Sequence, residues 1–262
     1  MSAVGSNAAS TVTVALLFPD LLGTYGDSGN AVILARRLAW RGFDARLVTV
    51  RSGDPVPETC EVYVVGGGED LPQALAARQL GSRRGGPLRK AVDGGAAVLA
   101  VCAGLQILGS SFVGPDGVEA DGLALLDCTT RRGAGPRAVG EIVVNPESEL
   151  GLPALTGYEN HAGVTTVGPD SRPLGRVVRG VGNGDGSGTD GVRSGRVIGT
   201  YLHGPVLARN PALADLILST VVGDLEPVDD SESEELRRER LMAGNSTASG
   251  RRGRRFIAGL RR

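Results

Sequence analysis

The chain has 262 residues, 41% hydrophobic and 22% charged, with a net charge of −1; it is long enough to bury a sizeable core and too evenly charged to attract nucleic acid through a general field. Cys60, Cys102 and Cys128 are an odd number without a C-x-x-C pair, which argues against a disulfide framework and against a metal site. The opening MSAVGSNAAS has no basic, apolar leader and no apolar run reaches the ~18 residues of a transmembrane segment, so the expected setting is a reducing cytoplasm.

Residues 1–11 are small and polar and read as a flexible start. TVTVALLF is a continuous β-branched and apolar run, the pattern of a strand buried on both faces. PDLLGTYGDSGN is a loop, with Asp27 or Ser28 in place to cap the helix predicted by NAVILARRLAWRG, which stops at Gly42. DARLVTV and EVYVVGGG then read as strands, LPQALAARQL and PLRKAVDGG as helices, AAVLAVC as a strand and GLQILGSSF as a helix. Strands alternating with helices of this length imply βαβ units with right-handed crossovers. The expected fold up to residue 113 is α/β, a doubly wound, mostly parallel sheet with flanking helices.

The second half is richer in strands: AVGEIVV, LTGYENH, LGRVVRG and GRVIGTYLHG. Between the last two, GVGNGDGSGTDGVRSG predicts a mobile surface loop. NPALADLILSTVVG predicts a helix capped by Asn210, with Pro211 in its first position. One domain is expected over 12–226, followed over 227–262 by a charged helix and a disordered arginine-rich tail.

Cys102 closes a predicted central strand and precedes a predicted helix, at the carboxyl edge where open parallel sheets bind ligands. Small neighbours, Ala100 and Gly104, allow the sharp turn of a nucleophile elbow, and the helix aims its positive end at the sulfur, favouring the thiolate. An acyl-transfer nucleophile needs oxyanion donors, for which the Ala103 amide and the GGG loop at 66–68, with Gly67 and Gly68, are placed. From the cysteine alone a packing role stands beside this one, because free cysteine is among the most buried residue types. A histidine base shifts the balance. His203 ends the strand VIGTYLHGP and is preferred; His161, in GYENHAG, lies at either end of its strand and also fits a structural role.

VCAGLQILG carries the C-x-G-x-Q-x-L-G pattern of the class I (triad) glutamine amidotransferases through Cys102, Gly104, Gln106, Leu108 and Gly109. With YGDSGN, GGGEDLPQALA, GYENHAGVT and GTYLHGPVLARNP in order, residues 12–226 resemble the CobB/CobQ-like branch and, within it, the GatD-type subunits of MurT/GatD lipid II isoglutaminyl synthases. The resemblance implies a glutaminase in which Cys102 and His203 hydrolyse L-glutamine through a thioester. It implies Gln106 as a substrate-binding residue and Arg137, in PRAVGEIV, as the clamp on the glutamine α-carboxylate. It also implies a Mur ligase-like MurT partner that holds ATP and Mg and amidates the D-glutamate α-carboxyl of lipid II, at the inner face of the membrane. No cofactor is expected on this chain, which has no phosphate-loop motif.

Most triad enzymes place a glutamate two residues after the histidine, where this chain has Pro205. No acid is placed by sequence to orient the imidazole, and the resemblance implies an aspartate donated by the partner, with activity dependent on assembly. The alternatives are a cobyric-acid-synthase-type amidotransferase, a non-catalytic binding subunit and, less favoured, another cysteine hydrolase.

Overall fold

Strands with no polar residue to spare must be covered on both faces, and the architecture follows from that requirement. The computed structural model describes residues 11–81, 85–114 and 116–252, with side chains as far as 242. Strand β1 (Val12–Leu17) leads through a 3-10 turn at Thr24–Gly26 into helix α1 (Gly29–Trp40), then β2 (Ala45–Val50), β3 (Val62–Val65), α2 (Asp70–Leu80), α3 (Pro87–Asp93), β4 (Ala97–Val101) and the short α4 (Ala103–Leu108). Every residue of β3 and β4 is buried. Helices α1 and α6 (Pro211–Val222) pack together against this sheet, while α4 packs on β4 with α2 behind it.

The central sheet has six strands in the order β13-β14-β4-β3-β1-β2, where β13 is Val192–Ser194 and β14 is Val197–Thr200. All of its pairings are parallel except β13 with β14. Two four-stranded sheets account for the strand-rich half. One joins β5 (Ser111–Val113), β6 (Glu119–Asp121), β7 (Cys128–Arg132) and β10 (Gly163–Val167); the other joins β8 (Ala138–Pro146), β9 (Leu155–His161), β11 (Gly175–Arg179) and β12 (Thr189–Asp190). Helix α5 (Val206–Arg209) links β14 to α6, and α7 spans Ser231–Arg252.

Three local expectations change. GLQILGSSF is not all helix: α4 ends at Leu108 and Ser111 begins a strand paired to β6 and β7. The glycine-rich loop after β11 lies at the surface over 184–188, as expected, but is anchored at both ends by polar side chains inside the protein. Asn183 and Asp190 are fully buried, Asn183 bonding Gly191 through both backbone groups and Asp190 accepting from Thr200 Oγ1 at 2.7 Å. Neither expected cap residue caps: Ser28 and Asn210 stand at the N-cap positions without a side-chain cap bond. Asn210 instead pins β9, its Oδ1 accepting the Thr156 N–H and its Nδ2 donating to the Thr156 and Val206 carbonyls.

The charged segment after 226 is tied to the domain. Arg37, 2% exposed, donates to both oxygens of Asp215 and both of Asp230, at 2.6–2.8 Å. Helix α7 continues through residues 245–252, where disorder was expected; once nucleated, each added residue gains a hydrogen bond for little further order. The flexible start over 1–10 and the tail over 253–262 lie outside the described residues.

Candidate active site

Four neighbouring strands, β14, β4, β3 and β1, run parallel, so their carboxyl ends open on one edge. Each supplies one part of the site. Cys102 follows β4, His203 follows β14, the glycines at 66–68 follow β3, and Asp27 lies in the loop after β1.

Cys102 has φ 52 and ψ −105, a conformation that side-chain-bearing residues avoid and that costs on the order of 1–3 kcal/mol. The surroundings hold it there: its N–H donates to the Thr200 carbonyl at 2.9 Å, and its carbonyl accepts from Gln106 N–H at 3.1 Å. The elbow closes because residue 104 has no side chain. A Cβ on Gly104 would lie 2.6 Å from the Val65 carbonyl oxygen. The sulfur-bearing residue is 8% exposed, buried but bordering a cavity of about 220 Å³.

His203 is held by its backbone and its ring. Its N–H and carbonyl pair with Tyr158 of β9, at 2.8 and 3.1 Å. Its Nδ1 donates to Asp27 Oδ2 at 2.9 Å, between side chains 1% and 0% exposed. Asp27 Oδ2 also accepts the Gly67 N–H at 2.9 Å. The three residues converge on Gly67, where a Cβ would come within 2.6 Å of His203 Cε1, 3.1 Å of Asp27 Oδ2 and 3.3 Å of Cys102 Cβ.

Burial by itself would lower the His203 pKa, but the Asp27 carboxylate and the adjacent Cys102 thiol raise it from 6.5 to about 10. With Nδ1 committed to Asp27, the buried Nε2, which has no hydrogen-bond partner among the described residues, is the nitrogen left to exchange protons. Asp27 therefore corrects the expectation that this chain offers no acid to the imidazole. The sequence offered Asp27, beside Ser28, only as a helix cap, and 176 residues separate it from His203. Only the strand order β14-β4-β3-β1, with all four carboxyl ends on one edge, brings the two together.

The remaining candidates border the cavity unequally. Gly68, Ala103, Gln106 and Arg137 line it together with Cys102. Gly67 does not offer its amide there, since Asp27 takes it, and its carbonyl accepts from Thr24 N–H at 3.1 Å. Gln106 accepts from Gln73 Nε2 at 2.9 Å and donates to the Tyr201 hydroxyl at 3.2 Å, which fixes its amide and leaves one N–H and one lone pair for a ligand. Arg131, Arg132 and Arg137 all reach the cavity, but among the described residues only Arg137 has its guanidinium held, by Asn160.

His161 stands at the carboxyl end of β9, also on the cavity wall. Its ring stacks on Tyr201 at 3.8 Å and its Nδ1 donates to the Gly163 carbonyl at 3.0 Å, with Nε2 3.5 Å from Glu159 Oε2. Among the described residues no cluster of side chains fits a metal ion, and no helix is long and apolar enough to cross a membrane.

A strained thiol at a strand end, a histidine oriented by a buried carboxylate, and an arginine across a small polar cavity suit covalent hydrolysis of a small substrate carrying an acyl group and an anionic end. The family model for the CobB/CobQ-like glutamine amidotransferase domain matches residues 13–211. The GatD subunit of the glutamine-hydrolyzing lipid II isoglutaminyl synthase of Staphylococcus aureus is 34% identical over 208 residues, 79% of this chain and 83% of that one. The GatD subunit of Streptococcus pneumoniae is 31% identical over 223 residues, 85% of each chain. A cobyric acid synthase of Sphingopyxis alaskensis is 31% identical over 185 residues, which are 67% of this chain but 34% of that enzyme.

Proposed function

The chain belongs to the CobB/CobQ-like glutamine amidotransferase family, and from that premise we propose that it is the glutaminase subunit of a two-subunit lipid II isoglutaminyl synthase, with Cys102, His203 and Asp27 as its catalytic relay. The Cys102 thiolate attacks the side-chain carbonyl carbon of L-glutamine, and the negative charge that develops on oxygen is met by the amides of Ala103 and Gly68. The His203 imidazolium protonates the departing nitrogen, so the C–N bond breaks, ammonia leaves and a γ-glutamyl thioester remains. His203 then takes a proton from water, whose oxygen attacks the thioester; the C–S bond breaks, releasing glutamate and the thiolate. Asp27 holds the imidazole in one orientation and stabilises its charged form through both steps, the task of the acid in a triad.

Arg137 clamps the α-carboxylate of the substrate and Gln106 contributes a further polar contact. The ammonia passes to a Mur ligase-like MurT subunit, which holds ATP and Mg and amidates the D-glutamate α-carboxyl of the lipid II stem peptide. Similarity to two GatD subunits over most of both chains supports this acceptor. The observation that carries the glutaminase reading is the Asp27–His203 pair beside the strained Cys102 elbow.

The experiment is glutamate release from glutamine by this chain alone, by its complex with the Mur ligase-like partner, and by the complex carrying Cys102→Ala. The expected result is release by the chain alone, since its acid is in place, and none by the variant complex. Release undiminished in Cys102→Ala sinks the nucleophile, and no release from any mixture favours a binding subunit.

A further inference from the structure

On a strand, neighbouring residues face opposite ways, and the end of β9 uses the two sides differently. Glu159 and His161 are buried, with Glu159 accepting the Val181 and Gly182 N–H groups at 2.8 and 2.9 Å. Tyr158 and Asn160 take the other side, toward the Thr24–Gly26 turn and Arg137.

Asn160 touches both. Its Oδ1 accepts the Arg137 Nε–H, and its backbone carbonyl accepts from Arg137 Nη2 at 3.0 Å. Its Nδ2 donates to the Tyr25 hydroxyl. Because a guanidinium only donates, the side-chain oxygen must face Arg137 and the nitrogen must face Tyr25. Tyr25 is itself held in a left-handed turn, φ 57, with its ring edge-on to His203 at 5.1 Å and 5.7 Å from Tyr158.

The consequence lies in which donors of Arg137 remain. Asn160 takes Nε and one N–H of Nη2, so both N–H groups of Nη1 and one of Nη2 are left, and they form the end of the fork. We propose that Asn160, oriented by Tyr25, is a positioning residue that presents this end of Arg137 to the α-carboxylate of the substrate, and so sets selectivity for α-amino-acid amides over amides without that carboxylate. The proposal rests on the glutaminase reading and on Arg137 as its clamp. Asn160 does its work through Arg137 and leaves the thiol chemistry alone.

The test uses the full chain in complex with its synthase partner, with two readouts. Steady-state glutaminase gives KM and kcat for glutamine, and alkylation of Cys102 by iodoacetamide, an amide without an α-carboxylate, reports the thiol independently of the clamp. Asn160→Ala is expected to raise KM about 10-fold, since a fork that loses its charge-assisted Nε bond and keeps only the backbone carbonyl of residue 160 must be re-ordered by the substrate, with kcat and the alkylation rate within about threefold of the parent. Tyr25→Phe, which removes only the hydroxyl, is expected to raise KM about threefold. An unchanged KM in Asn160→Ala, or a kcat and an alkylation rate that fall together in both variants, overturns the proposal. Failure of the underlying reading shows separately, as an Arg137→Ala variant with unchanged KM or as alkylation of the same peptide persisting in Cys102→Ala.

Discussion

Replacing Asp27 with asparagine keeps the shape of the side chain and one oxygen while removing its charge. That oxygen can still accept from Gly67 N–H, and the new nitrogen falls where Oδ1 now lies buried without a hydrogen-bond partner among the described residues. What disappears is a charge-assisted bond to the imidazolium, made at 2.9 Å between side chains 1% and 0% exposed. Such bonds contribute roughly 1.5–3 kcal/mol, which predicts a loss of about 10- to 150-fold in kcat/KM. The pH profile moves as well. Asp27 raises the His203 pKa, to about 10 in the parent, so asparagine lowers it, and the imidazolium that protonates ammonia is lost at a lower pH. The assay is kcat/KM for glutamine between pH 6 and 11, with thermal unfolding as a control. Stability follows the same sign: the raised pKa contributes fully below the unfolded value of 6.5 and is lost as pH rises through about 10. The parent should lose stability across that window and Asp27→Asn should lose less. A folded Asp27→Asn with parental kcat/KM and an unmoved alkaline limb would refute the role of Asp27.

Gly67→Ala places a methyl 2.6 Å from His203 Cε1 on a backbone pinned by Asp27 and Thr24; the imidazole must shift, and kcat/KM should fall by about 100-fold with circular dichroism unchanged. Cys102→Gly should be more stable than Cys102→Ala by about 1 kcal/mol in urea unfolding, because φ 52 is costly only when a Cβ is present; equal stability would remove the argument for strain. Arg37→Met removes the buried cation shared by Asp215 and Asp230, leaving Asp215 to Arg41 alone and Asp230 without its ion pair; it should destabilise the fold by about 2 kcal/mol, read as a lower urea midpoint, with protease cleavage rising first near residue 230.

The central sheet was legible because its evidence is local: β-branched runs such as VTVALL and AVLAV, glycine stops and helical spacing each report on a few consecutive residues. The Cys102 elbow was legible for the same reason, since strand, turn and small neighbours lie within one short stretch. His203 could be reached because only two histidines exist to choose from. What pairs with what across the sheet is set by strand order, which no local pattern encodes. Asp27 therefore looked like a cap until the order β14-β4-β3-β1 set the loop after β1 against His203, and Gly67 looked like an oxyanion donor until its amide was found on that carboxylate. The glycine-rich loop misled in the opposite direction. Its composition argues for mobility, but Asn183 and Asp190 find their hydrogen bonds inside the protein, and a buried polar group that is satisfied fixes the chain around it. Residue types thus determined which chemistry was possible, and packing between residues far apart in the chain decided which side chains perform it.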